Sequence, residues 1–110
     1  MADAATKTWV KVAREADIQK NQPHYVVLNN RGVALYRTAG TVYATDDTCS
    51  HAAASLCEGN YHGYVVTCPR HGGQFDIRTG RAVKMPAIAP IEVFPVRVDG
   101  GDVFLSPDDL

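Results

Sequence analysis

Four residues in this chain have the types and spacing to hold a metal centre. Cys49 and His51 stand in Cys49-Ser50-His51, and Cys68 and His71 in Cys68-Pro69-Arg70-His71-Gly72-Gly73, with 16 residues between His51 and Cys68. Each segment offers one thiolate and one imidazole. Thiolates suit iron-sulfur clusters or zinc, and imidazole suits iron and zinc alike, so donor type leaves both metals open. Arrangement separates them. A single zinc site usually keeps its cysteines together and its histidines together, whereas here each pair is mixed. If both cysteines bind one iron and both histidines the other, each segment bridges two metals and the segments become equivalent, as a binuclear cluster requires. A four-ligand zinc module is the competing reading; it would be colourless, and a brown protein would exclude it.

The flanking residues suit a cluster. Sulfides and thiolate sulfurs need backbone N–H donors brought close, and Gly72 and Gly73 permit that approach. Pro69 stiffens the second segment, while Ala52, Ala53 and Ala54 leave room near the first. The third cysteine, Cys57, cannot complete an all-cysteine cluster, which needs four, and is read as a thiol packed in the fold. His24 and His62 have no ligand spacing and are read as ordinary residues.

The elements that must position these donors are short and β-rich. Runs of branched and aromatic residues at 9–13, 25–28, 33–37, 42–44, 64–67, 91–98 and 103–105 read as strands. Asn29-Asn30-Arg31-Gly32, Ala39-Gly40, Thr79-Gly80 and Asp99-Gly100-Gly101-Asp102 supply turns that tolerate positive φ, so most neighbours should pair as antiparallel hairpins. Residues 15–20 allow one helical turn. The fold class is therefore all-β, an antiparallel sandwich or barrel-like domain. Residues 46–80, which carry all three cysteines, read as a functional lobe inserted between the 42–44 and 91–98 strands. Val93, Phe94, Val96 and Val98 read as core, with Pro95 marking an edge or bulge. Asp108-Asp109-Leu110 reads as a solvated tail.

Size and charge bound the rest. The 110 residues fit one domain spanning 1–110. A formal net charge of −1 provides no basic field for phosphates, which excludes nucleic acid as a partner. No apolar stretch approaches the roughly 18 residues of a membrane span, and the start lacks an apolar signal region, so a cytoplasmic protein without a membrane partner is expected. An odd number of cysteines argues against the disulfide framework of a small secreted domain.

Cys-x-His followed by Cys-x-x-His at this distance resembles the Rieske motif. Tyr43-Ala44, Leu56-Cys57-Glu58-Gly59, His71-Gly72-Gly73-Gln74-Phe75-Asp76 and Thr79-Gly80 resemble the small Rieske-type [2Fe-2S] ferredoxins of bacterial aromatic ring-hydroxylating dioxygenase systems. Met85-Pro86-Ala87-Ile88-Ala89-Pro90 is similar to that family's proline loop, which covers one side of the cluster. The likeness runs from Trp9 to Leu105. Ala54 and Arg70 stand where respiratory Rieske proteins carry an additional, disulfide-forming cysteine pair. Their absence points to the ferredoxin branch, toward the low end of the roughly −150 to +300 mV Rieske range. Ala52 stands where the family often has glycine.

The resemblance implies the Rieske fold with one [2Fe-2S] cluster per chain. Cys49 and Cys68 would bind the buried iron, and His51 and His71 the outer one, their imidazole edges passing electrons. It implies a monomeric electron carrier, not an enzyme, that shuttles single electrons from a flavin-dependent ferredoxin reductase fed by NAD(P)H to a terminal Rieske oxygenase. A small electron-transfer subunit of a nitrite reductase, or of another oxygenase system, is the alternative. An oxygenase subunit is disfavoured, because only His24 and His62 would remain for a mononuclear iron and they form no such motif.

Overall fold

A computed structural model describes residues 7–49, 54–70, 72–85, 87 and 89–110. Eleven strands appear in chain order among them: β1 (Val10–Arg14), β2 (His24–Leu28), β3 (Arg31–Thr38), β4 (Thr41–Asp46), β5 (Asn60–His62), β6 (Val65–Thr67), β7 (Gln74–Asp76), β8 (Ala82–Lys84), β9 (Val93–Phe94), β10 (Arg97–Asp99) and β11 (Asp102–Leu105). They form three antiparallel sheets, ordered β1-β11-β10, β2-β3-β4-β9 and β5-β6-β7-β8. The third sheet is threaded between β4 and β9, so everything from the first cysteine segment to the 85–90 segment is inserted into the second. The expected helical turn is a 3-10 turn at Glu15–Asp17.

β3 explains how two cores share one wall. Val33-Ala34-Leu35-Tyr36 is fully buried, and a run apolar at every position is what a strand covered on both faces requires. Successive side chains leave opposite faces. Val33 and Leu35 join a core with Val26, Val42, Ala44, Phe94, Val103 and Leu105. Ala34 and Tyr36 face the other way, into a core with Leu56, Tyr61, Val66, Phe75 and Ile77 that also holds Cys49 and Cys68. The cysteines are thus anchored to the interior of the inserted region.

Hydrogen bonds fasten that region to β3. The Tyr61 hydroxyl donates to the carbonyls of Gln19 and Arg37, both at 3.0 Å, and accepts from the Arg37 N–H at 3.0 Å. Its ring meets Tyr36 edge-on at 5.2 Å. Burial pushes the Tyr36 phenol well above its ordinary range, and its hydroxyl lies 2.8 Å from Thr45 Oγ1. Thr45 is itself fully buried and donates to the Asp46 carbonyl at 3.0 Å. Thr45→Val keeps the shape but leaves a buried phenol with no partner, so we expect a loss of about 1–3 kcal/mol in denaturant unfolding.

Three expectations are corrected. The 91–98 run does not form one strand: it breaks at Pro95 into β9 and β10, which sit at the edges of different sheets. Proline cannot donate to a ladder, and beyond it Arg97, Val98 and Asp99 are all exposed, Val98 at 41%. Of the expected core stripe, only Phe94 is buried. The acidic end is a 3-10 turn, Pro107–Asp109, rather than a solvated tail. The Ser106 side chain accepts from the Asp108 N–H, Asp108 accepts from the Thr8 N–H at 3.3 Å, and Asp109 pairs with Lys7 at 3.0 Å.

Candidate metal centre

The two cysteine segments fold into loops closed in the same way. In the first, Thr48 and Ser55 form an antiparallel bridge, and the Cys49 N–H donates to the Ala54 carbonyl at 2.9 Å. The second is the connection between β6 and β7, where Thr67 pairs with Gln74 and the Cys68 N–H donates to the Gly73 carbonyl at 2.8 Å. Each cysteine opens its loop, and each of these bonds spans five residues. Gly72, at φ +78°, takes the left-handed conformation that favours glycine, and its N–H returns to the Cys68 carbonyl at 3.1 Å.

Both cysteine side chains are buried, Cys49 at 3% exposure and Cys68 at 1%, in the same core. The neighbouring elements hold the loops together. The first loop leads into a 3-10 turn, Leu56–Glu58, ended by Gly59. A Cβ on Gly59 would collide with the Thr67 carbonyl oxygen and come within 3.2 Å of Pro69 Cδ, so the exit of the first loop lies directly against the entrance of the second. On the far side, Gly73 is packed on Ala87, where an added Cβ would come within 2.9 Å of the alanine Cβ. Ala87 is buried and its N–H donates to the Lys84 carbonyl at 3.2 Å. The 85–90 segment thus lies on the second loop through Ala87; Pro86 and Ile88 fall outside the described residues.

His51 and His71 also lie outside the described residues, and among those described no group of three or more His, Cys, Asp or Glu converges. What is described fits a cluster. Two thiols lie in one buried core at the mouths of two similarly closed loops, the donor set that one iron of a bridged pair needs. His24 is half-buried on β2 and His62 exposed on β5.

Cys57 differs from the other cysteines. It lies in the 3-10 turn at the margin of the same core, and burial, then its bond to Asp47, push its thiol well above the ordinary range. A thiol held protonated is a poor ligand and a poor nucleophile. Cys57→Ser keeps a donor toward Asp47, so iron content, sulfide content and visible spectrum should all match the parent. Loss of the spectrum would contradict the ligand set.

Asp47, a buried carboxylate beside the first loop, is not among the residues that the sequence singles out. Its carboxylate is buried, and Oδ1 accepts from Ser55 Oγ at 2.9 Å and from the Cys57 N–H at 3.0 Å. The available signal was a carboxylate two residues before Cys49, but its partners become visible only once the loop has folded back.

Residues 8–95 match the Rieske [2Fe-2S] domain family. The chain belongs to that family. It is 41% identical over 101 residues to ferredoxin CarAc of Metapseudomonas resinovorans, covering 89% of this chain and 92% of that protein. It is 36% identical over 101 residues to the ferredoxin component of the naphthalene 1,2-dioxygenase/salicylate 5-hydroxylase systems of a Ralstonia species, covering 92% and 97%. A solved complex of reduced oxygenase and oxidised ferredoxin in carbazole 1,9a-dioxygenase contains a chain that matches with a TM-score of 0.85 and 37% identity, covering 96% of this chain and 98% of that one. As a Rieske protein this chain carries a [2Fe-2S] cluster. The similarity to ferredoxin components runs over nearly their whole length, which makes it an electron-transfer protein rather than a catalytic oxygenase. No helix among the described residues is long and apolar enough to cross a membrane.

Proposed function

We propose that this Rieske protein is the ferredoxin of an aromatic ring-hydroxylating dioxygenase system, taking single electrons from an NAD(P)H-dependent flavin reductase and giving them to a terminal Rieske oxygenase. The observation that carries this is the 41% identity to a ferredoxin of nearly the same length. A bound [2Fe-2S] cluster supplies one-electron chemistry. The chain supplies the rest. Cys49 and Cys68 hold the cluster from the buried side of the two loops, and His51 and His71 complete the ligand set, one cluster per chain. Residues 1–110 act as one monomeric domain in the cytoplasm, with the cluster lobe at about 46–80.

A carrier of this kind must release each partner quickly, so its contacts are small and weak. The test combines the purified protein with candidate reductases and oxygenases and asks which set couples NADH oxidation to formation of a hydroxylated product. Coupling with an aromatic-ring oxygenase supports the reading. Coupling only to nitrite reduction would place the chain in a different electron-transfer system.

A further inference from the structure

We propose that Asp47 is a positioning residue for the Cys49 loop and that its fixed negative charge holds down the reduction potential of the cluster; this rests on the reading of Cys49 as a ligand. Asp47 is 7% exposed, and none of the ion pairs among the described residues includes it. Hydrogen bonds take the place of a cation. Oδ1 accepts from both Ser55 Oγ and the Cys57 N–H. The main chain of Asp47 accepts from the Leu56 N–H at 2.7 Å and donates to the Gly32 carbonyl at 3.2 Å. One residue therefore ties the outgoing limb of the loop, its returning limb, the 3-10 turn and β3.

An amide oxygen could accept the same bonds. What only a carboxylate adds is charge, and burying a charge without a counter-ion is costly. Asp47 and Cys49 stand two residues apart on a limb paired with 54–56, about 7 Å along an extended chain. Both are buried, which leaves little water between them to screen the interaction. A negative charge at that distance opposes the arrival of an electron.

The experiment compares the parent holoprotein with D47N and D47A for iron and sulfide content, cluster lifetime in the presence of a chelator, and reduction midpoint. D47N, which keeps an acceptor, should load like the parent. At any fixed poise its ratio of reduced to oxidised protein should rise about tenfold, a positive shift of about 59 mV for a one-electron couple. D47A, which loses the acceptor as well, should shed its cluster several-fold faster. A D47N midpoint corresponding to less than a twofold change in that ratio would overturn the proposal. So would D47N failing to load, or D47A keeping its cluster as long as the parent. A purely structural role would leave the D47N midpoint where it was. An unaltered cluster in Cys49→Ser would instead strike at the ligand reading itself.

Discussion

Cys68→Ser is expected to abolish the visible spectrum of the protein and to lower bound iron and acid-labile sulfide at least tenfold. The side chain at this position is 1% exposed and its backbone closes the second loop. A serine hydroxyl is a hard, weakly acidic donor where a soft thiolate is needed, so the loss is chemical rather than steric. Cys49→Ser should behave alike, since that cysteine opens the first loop with the same five-residue closure. Both variants should also melt earlier, because a group that binds only the folded chain stabilises it by mass action. The Cys57→Ser protein is the internal control: it carries the same change of atom, in the same core, without the loss.

Gly59→Ala should drive the two cysteine loops apart with a single methyl. Its φ of −96° is open to any residue, so the problem is space and not backbone strain. The added carbon would collide with the Thr67 carbonyl, one residue before Cys68, and press on Pro69 one residue after it. A backbone carbonyl on one side and a proline ring on the other leave no flexible side chain to move aside. The relief available is to part the two loops, which separates the pair of cysteines. Overpacking of this kind costs about 1–3 kcal/mol in unfolding, and cluster loss in chelator should be at least tenfold faster than in the parent. An unchanged cluster lifetime would mean that the loops are held in register by something other than this contact.

Much of this arrangement was legible in the residues, and the gaps have physical causes. The all-β class followed from branched and aromatic runs cut by Asn-Asn and Gly-Gly turns, and those turns fall where Asn29, Asn30, Gly100 and Gly101 take positive φ. Cys49 and Cys68 stood out as a pair because chemistry restricts such spacing more tightly than packing does, and the fold buries both in one core. β5, β7 and β8 were not, since three residues are too few to show a period, and Gln74-Phe75-Asp76 offers one buried side chain between two half-buried polar ones. Pro95 marked an edge correctly, but Val98 was misread because its apolar character does not show that the residues beyond the proline lie exposed on that edge. Asp47 escaped notice because its partners lie eight and ten residues further along. The role of β3 as a wall between two cores was hidden in a run whose uniform apolarity gives no direction to alternate side chains.

Electron paramagnetic resonance of the reduced protein, grown once with ordinary and once with nitrogen-15 histidine, tests the ligand set most directly. A mixed-valence signal whose nitrogen couplings change with the label, disappear in the histidine variants His51→Ala and His71→Ala, and survive in Cys57→Ser is the predicted result. A silent sample containing zinc and no acid-labile sulfide, or an iron-sulfur signal indifferent to the histidine label, would contradict it.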